Sequence, residues 1–133
     1  MARIDWAVLC DQAFMDRHER LCVIGVTRQF PVPRLPIALH QVMLVAHVTD
    51  IQPIDEIGVV VSIVSPRGVS ARPTTPESMF IEVAGEYVLA TLRDVPLGEE
   101  GLYRFEVALV GQPPTPVPVS VLAASRLTEA QCH

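Results

Sequence analysis

Four groups of side chains in this sequence could do chemistry. His40 and His47 stand seven residues apart in one apolar run. A shared metal would need both imidazoles on one side, and an odd spacing in a regular strand sends them to opposite faces. They read as ordinary strand histidines, so no metal site is expected. Cys10 and Cys22 end and begin successive apolar runs. Opposed in a hairpin they would form a redox pair; otherwise they are small buried hydrophobes. With Cys132 the cysteine count is odd and no C-x-x-C occurs, so free thiols are expected. Asp16-Arg17-His18-Glu19-Arg20 combines a histidine with carboxylates, the ingredients of general acid–base work. Neighbours within one turn normally form a solvated charged surface instead. Asp94, Glu99 and Glu100 are too few oxygens for a calcium loop. Gly98-x-x-Gly101 is a turn rather than a phosphate cradle, and no G-x-S-x-G elbow is present. No catalytic motif and no cofactor are implied.

The elements that must position these residues are short and valine-rich. Eight strand-like runs cover 3–10, 20–29, 37–49, 56–65, 78–84, 87–95, 102–110 and 117–123. Several alternate with a period of two: Tyr103, Phe105, Val107 and Leu109 against Arg104 and Glu106, and Val117, Val119 and Val121 among themselves. Ser65-Pro66-Arg67-Gly68 has turn chemistry. The proline segments 31–36 and 112–116 are read as unable to continue a ladder, because proline lacks the donor. Pro118 places the run 117–123 at a sheet edge. This pattern predicts an all-β fold, an antiparallel β-sandwich of about eight strands, immunoglobulin-like or C2-like, over residues 1–123. A short C-terminal tail, 124–133, follows. Tyr103, two residues after Gly101, has the placing of a tyrosine corner, with a plain core aromatic as the other reading.

Composition narrows the function. The chain has 133 residues, half of them hydrophobic, enough for one packed domain. Its net charge of -5 argues against nucleic acid as a partner. All ten basic residues are Arg, and Lys and Asn are absent, as a GC-rich genome would produce. No apolar run is long enough for a membrane span, and Asp5 interrupts any export-signal pattern, so a cytoplasmic address is expected.

Trp6-Ala7-Val8-Leu9-Cys10-Asp11-Gln12-Ala13, Leu21-Cys22-Val23-Ile24-Gly25-Val26 and the stretch from Val95-Pro96-Leu97-Gly98 to Glu106-Val107 carry a resemblance. Together they resemble a bacterial family of small single-domain β-sandwich proteins of unknown function, along almost the whole chain. The resemblance implies one sandwich domain and brings no catalytic or binding residues.

The expected function is a non-enzymatic interaction, structural or accessory module, self-associating or docking a protein partner through a sheet face. The alternatives are a small-ligand-binding sandwich and, least supported, an enzyme. On the run 56–65, Ile57, Val59, Val61 and Ile63 should line the core. The opposite set, Gly58, Val60, Ser62 and Val64, carries no charge, and Met43 and Val45 show the same shortage. Val60, Val64, Met43 and Val45 are therefore the interface candidates, unless loops or the tail cover them.

Overall fold

The computed structural model describes residues 2–51, 58–71 and 79–123. Ile57, Cys132, the tail from residue 124 and the first residues of the runs starting at 56 and 78 lie outside them. Among the described residues ten strands are present: β1 (Arg3–Met15), β2 (Leu21–Thr27), β3 (Gln29–Val32), β4 (Ile37–Thr49), β5 (Val59–Val64), β6 (Ser70–Ala71), β7 (Met79–Ala84), β8 (Tyr87–Leu97), β9 (Gly101–Leu109) and β10 (Thr115–Ala123). They form two five-stranded sheets, ordered β2-β1-β4-β8-β7 and β3-β10-β9-β5-β6. Every pairing is antiparallel except β3 with β10. The all-β sandwich is as expected. The trio β4-β8-β7 facing β10-β9-β5 is the strand order of an immunoglobulin-like sandwich.

Two strands more than expected arise for local reasons. The run 20–29 splits at Arg28, where the chain crosses from the first sheet to the second. The Thr27 hydroxyl braces the crossing, donating to the Gln29 carbonyl at 2.7 Å and accepting from its N–H at 3.2 Å. β6 is a two-residue edge. The expectation that the segment from Pro31 could not join a ladder is corrected, because Pro31 lies in β3. An edge strand needs no donor on its outer side, so the missing N–H costs nothing there.

The placing of 117–123 at an edge is also corrected: β10 lies between β3 and β9. The Ser120 N–H reaches the Arg28 carbonyl at 2.9 Å, so the even positions of β10 aim their N–H away from β9. Pro116 and Pro118 share that parity. β3 pairs only from Ser120 onward, so both prolines lack a donor on the side where no strand waits.

The inner faces fill one core, with Leu9, Leu44, Leu92, Phe105, Val107 and Val119 at its centre. Phe30 meets Phe105 edge-on, ring centroids 6.2 Å apart. A second cluster lies on the opposite side of the first sheet and contains Cys10, Ala13, Met43, Val45 and Leu89, with Leu21 and Val23 against it. Cys10 and Ala13 are three apart, so a straight strand would point them to opposite faces. The β1–β2 hairpin therefore turns between them. Gly25 makes the turn possible at φ 71°, and a Cβ there would collide with the Asp11 carboxylate. Beyond that bend, Ala13, Leu21 and Val23 pack onto the sheet.

This corrects the interface reading of Met43 and Val45, which are buried beneath the hairpin of the same chain. Burying each contributes about 1.5–3 kcal/mol, which is what holds the hairpin down. Val64 is buried as well, flanked by Arg104 on β9 and Ser70 on β6. Only Val60 of the four is partly exposed.

Candidate functional site

Among the described residues the two sheets have four edges, which differ in what protects them. Exposed edges normally carry charge, proline or very short strands, because their unpaired N–H and C=O groups recruit other strands. β7 carries Glu82, β3 carries Pro31 and β6 is two residues long. β2 reads Leu21-Cys22-Val23-Ile24-Gly25-Val26-Thr27, with neither charge nor proline. Ile24 and Val26 on it are 52% and 57% exposed, and Phe14 on the adjoining β1 is 41% exposed. Gly25 bends the strand, leaving Leu21–Ile24 as its straight part.

A second group of side chains converges on the first sheet at the start of β1. The β1–β4 register shifts by one between Ile4 and Trp6, so Asp5 is the extra residue of a bulge. Bulges re-aim side chains, and here two consecutive residues reach one histidine. Trp6 stacks on His47 with centroids 5.8 Å apart and planes 17° apart. Asp5 Oδ2 lies 3.3 Å from His47 Nδ1. From the other side comes Glu86, in the two-residue Gly85–Glu86 turn joining β7 to β8, with Gly85 at φ 60°. Its carbonyl accepts from the Val48 N–H at 2.8 Å, which seats the turn on β4. Glu86 Oε2 then stands 3.0 Å from His47 Nε2. Tyr87 completes the group, 5.2 Å from His47 and 6.2 Å from Trp6. The Glu86 hydrogen bond above all, then Asp5, hold the imidazole above its ordinary value against the opposing effect of burial.

The other chemistry-bearing residues stay apart. Ile37 and Leu39 face the inner core, and so do Val42 and Leu44, so the inward parity changes across His40 and Gln41. The regular alternation expected to separate His40 from His47 is thus broken. Seven residues at ~3.3 Å each still hold the two histidines roughly 20 Å apart. Among the described residues no group of three or more His, Cys, Asp or Glu could hold a metal. Cys10 pairs in register with Val26 and Cys22 with Phe14, so the two thiols are not opposed. Both are free, and burial raises the Cys10 thiol further from ionisation. The 16–20 cluster is a hairpin loop closed on itself: Asp16 Oδ1 accepts the His18 and Arg20 N–H groups, and Oδ2 accepts Arg20 Nε. Those bonds hold the Asp16 carboxyl below its ordinary value.

Tyr103 and Gly101 form a structural corner. The Tyr103 hydroxyl donates to the Glu99 carbonyl at 3.0 Å and accepts the Glu99 N–H at 3.2 Å. Gly101, at φ 135°, passes so close to Pro66 that a Cβ would lie 2.8 Å from its Cγ.

The Trp6–His47–Tyr87 group escapes a reading of the sequence because residues 5, 47 and 86 are joined only by strand register. The absence of charge from 21–27 is a property of the sequence, but strand order alone puts that segment at an edge. Among the described residues no helix is long and apolar enough to cross a membrane.

Residues 5–122 match a family described as a family of unknown function (DUF6941). No curated protein matches the chain. Among solved structures, the chain is similar to the M1 domain from titin at 12% identity. That likeness covers 71% of this chain and 87% of that one, with a TM-score of 0.36.

Proposed function

This chain belongs to the DUF6941 family, and on that premise we propose that it is a non-enzymatic interaction module that recruits a partner by strand addition at β2. The observation that carries the reading is the unprotected edge Leu21–Thr27, bordered by exposed Phe14, Ile24 and Val26. An extended segment laid along it gains main-chain hydrogen bonds, and alternate side chains add selectivity. The simplest such segment is β2 of a second copy. Antiparallel pairing of one edge with itself is two-fold symmetric, and β2 has no charge to repel its own image. The sheet-face docking expected from the sequence gives way to edge docking, since Met43 and Val45 are covered. A ligand within the sandwich is not favoured, because large side chains fill the space between the sheets. Cytoplasmic residence is part of the same proposal and accords with the two free thiols.

Sedimentation velocity over a rising concentration series, on wild type and Ile24→Lys, tests this reading. The wild type should associate, and the variant should remain a single chain with unchanged circular dichroism. A wild type of one-chain mass at every concentration, with fast-exchanging β2 amides, would remove the edge from consideration.

A further inference from the structure

The contacts of His47 require a proton count. Both ring nitrogens face carboxylates, Nδ1 toward Asp5 and Nε2 toward Glu86. A neutral imidazole has one N–H and can donate to only one of them; the other nitrogen then presents a lone pair to a carboxylate. Only the imidazolium satisfies both contacts. The two carboxylates arrive from distant parts of the chain, one on the β1 bulge and one on the β7–β8 turn, and β4 runs between them. We infer that Asp5, His47 and Glu86 form a proton-operated latch. Protonated His47 ties the start of β1 to the β7–β8 hairpin, and loss of the proton releases the Asp5 arm.

The surroundings favour this assignment. Trp6 and Tyr87 lean over the imidazole, leaving its side chain 17% exposed. An imidazolium against aromatic faces gains cation–π attraction that the neutral ring does not. Glu86 is the fixed arm: its contact is shorter and its backbone is anchored to Val48. Asp5 is the releasable arm, with a 3.3 Å contact and a bulged backbone. Arg3, the nearest cation on β1, is engaged elsewhere, its Nε donating to Thr49 Oγ1 at 3.3 Å. Among the described residues the remaining titratable group against His47, the Tyr87 phenol, comes from β8. His47 is held above its ordinary value in the fold, so the latch is complete below the ordinary imidazole range. It is lost as pH rises through the folded value.

The chain has one tryptophan, and it stacks on this histidine, which supplies the test. A nearby imidazolium quenches indole emission, so Trp6 fluorescence should rise as His47 loses its proton. The His47 titration should be followed in parallel by NMR of the ring nitrogens, on wild type, Glu86→Gln, Asp5→Asn and His47→Gln. The two wild-type curves should share a midpoint above the ordinary imidazole value. Glu86→Gln should lower that midpoint more than Asp5→Asn, and His47→Gln should abolish the fluorescence step while leaving circular dichroism unchanged. At pH above the midpoint, amides at the start of β1 should lose protection, relative to their intrinsic exchange rates, in the wild type. A wild-type midpoint at or below the ordinary value overturns the latch. So does a midpoint that neither carboxylate substitution moves, or β1 exchange protection that does not change across the titration.

Discussion

Replacing Tyr103 by Phe removes one oxygen from a residue that is 3% exposed and leaves the ring in place. The oxygen makes two hydrogen bonds, both to the backbone of Glu99 four residues earlier. A net hydrogen bond contributes about 0.5–1.5 kcal/mol, and an orphaned buried partner costs about 1–3 kcal/mol. Glu99 is only partly buried, which places the loss near the lower ends of both ranges. The expected destabilisation is about 1–2 kcal/mol. For a chain of this length each kcal/mol lowers the melting midpoint by roughly 3–5 °C. Urea unfolding followed by both Trp6 emission and circular dichroism measures the change. The midpoint should fall with the slope unchanged, because the surface exposed on unfolding is the same. Arg67→Ala is the control. It removes the exposed Arg67–Glu99 ion pair beside the same corner, and should cost about 0–1 kcal/mol. A Tyr103→Phe protein that unfolds at the wild-type midpoint, or that loses no more stability than the control, refutes the idea that the corner bond stabilises the fold.

Gly101→Ala should destabilise by about 1–3 kcal/mol in the same assay, because φ 135° and the closeness of Pro66 both oppose a Cβ. Wild-type stability in that variant would contradict the backbone argument. Val45→Asp should cost upwards of about 3 kcal/mol by burying a charge in the second cluster. A folded, stable Val45→Asp protein with altered oligomeric mass would restore the face to the surface. In thiol labelling of the native protein Cys22 should react and Cys10 should stay protected until unfolding, since Cys10 is buried and Cys22 is only partly so. Rapid modification of Cys10, seen by mass spectrometry of its peptide, would show that the hairpin does not cover it.

Local alternation sufficed to locate most of the strands. Tyr103, Phe105, Val107 and Leu109 point inward on β9 while Arg104 is exposed and Glu106 partly so, as their spacing requires. The Ser65–Gly68 turn closes with the Gly68 N–H on the Ser65 carbonyl at 2.9 Å, where proline and glycine were already placed for it. Those features depend on contacts a few residues long, so the chain's own order encodes them. What covers Met43 and Val45 depends instead on a bend at Gly25 that carries residues of β1 and β2 back over β4 and β8. The position of β10 depends on β3 arriving parallel beside it from just over ninety residues earlier. The latch depends on a one-residue bulge at Asp5; without it, register would turn either the carboxylate or the indole away from His47. A single residue of slip reverses every side chain beyond it. Composition and period therefore determined where most strands lie, while the tertiary structure decided which faces are covered, which edge is left open and which distant carboxylates meet at one imidazole.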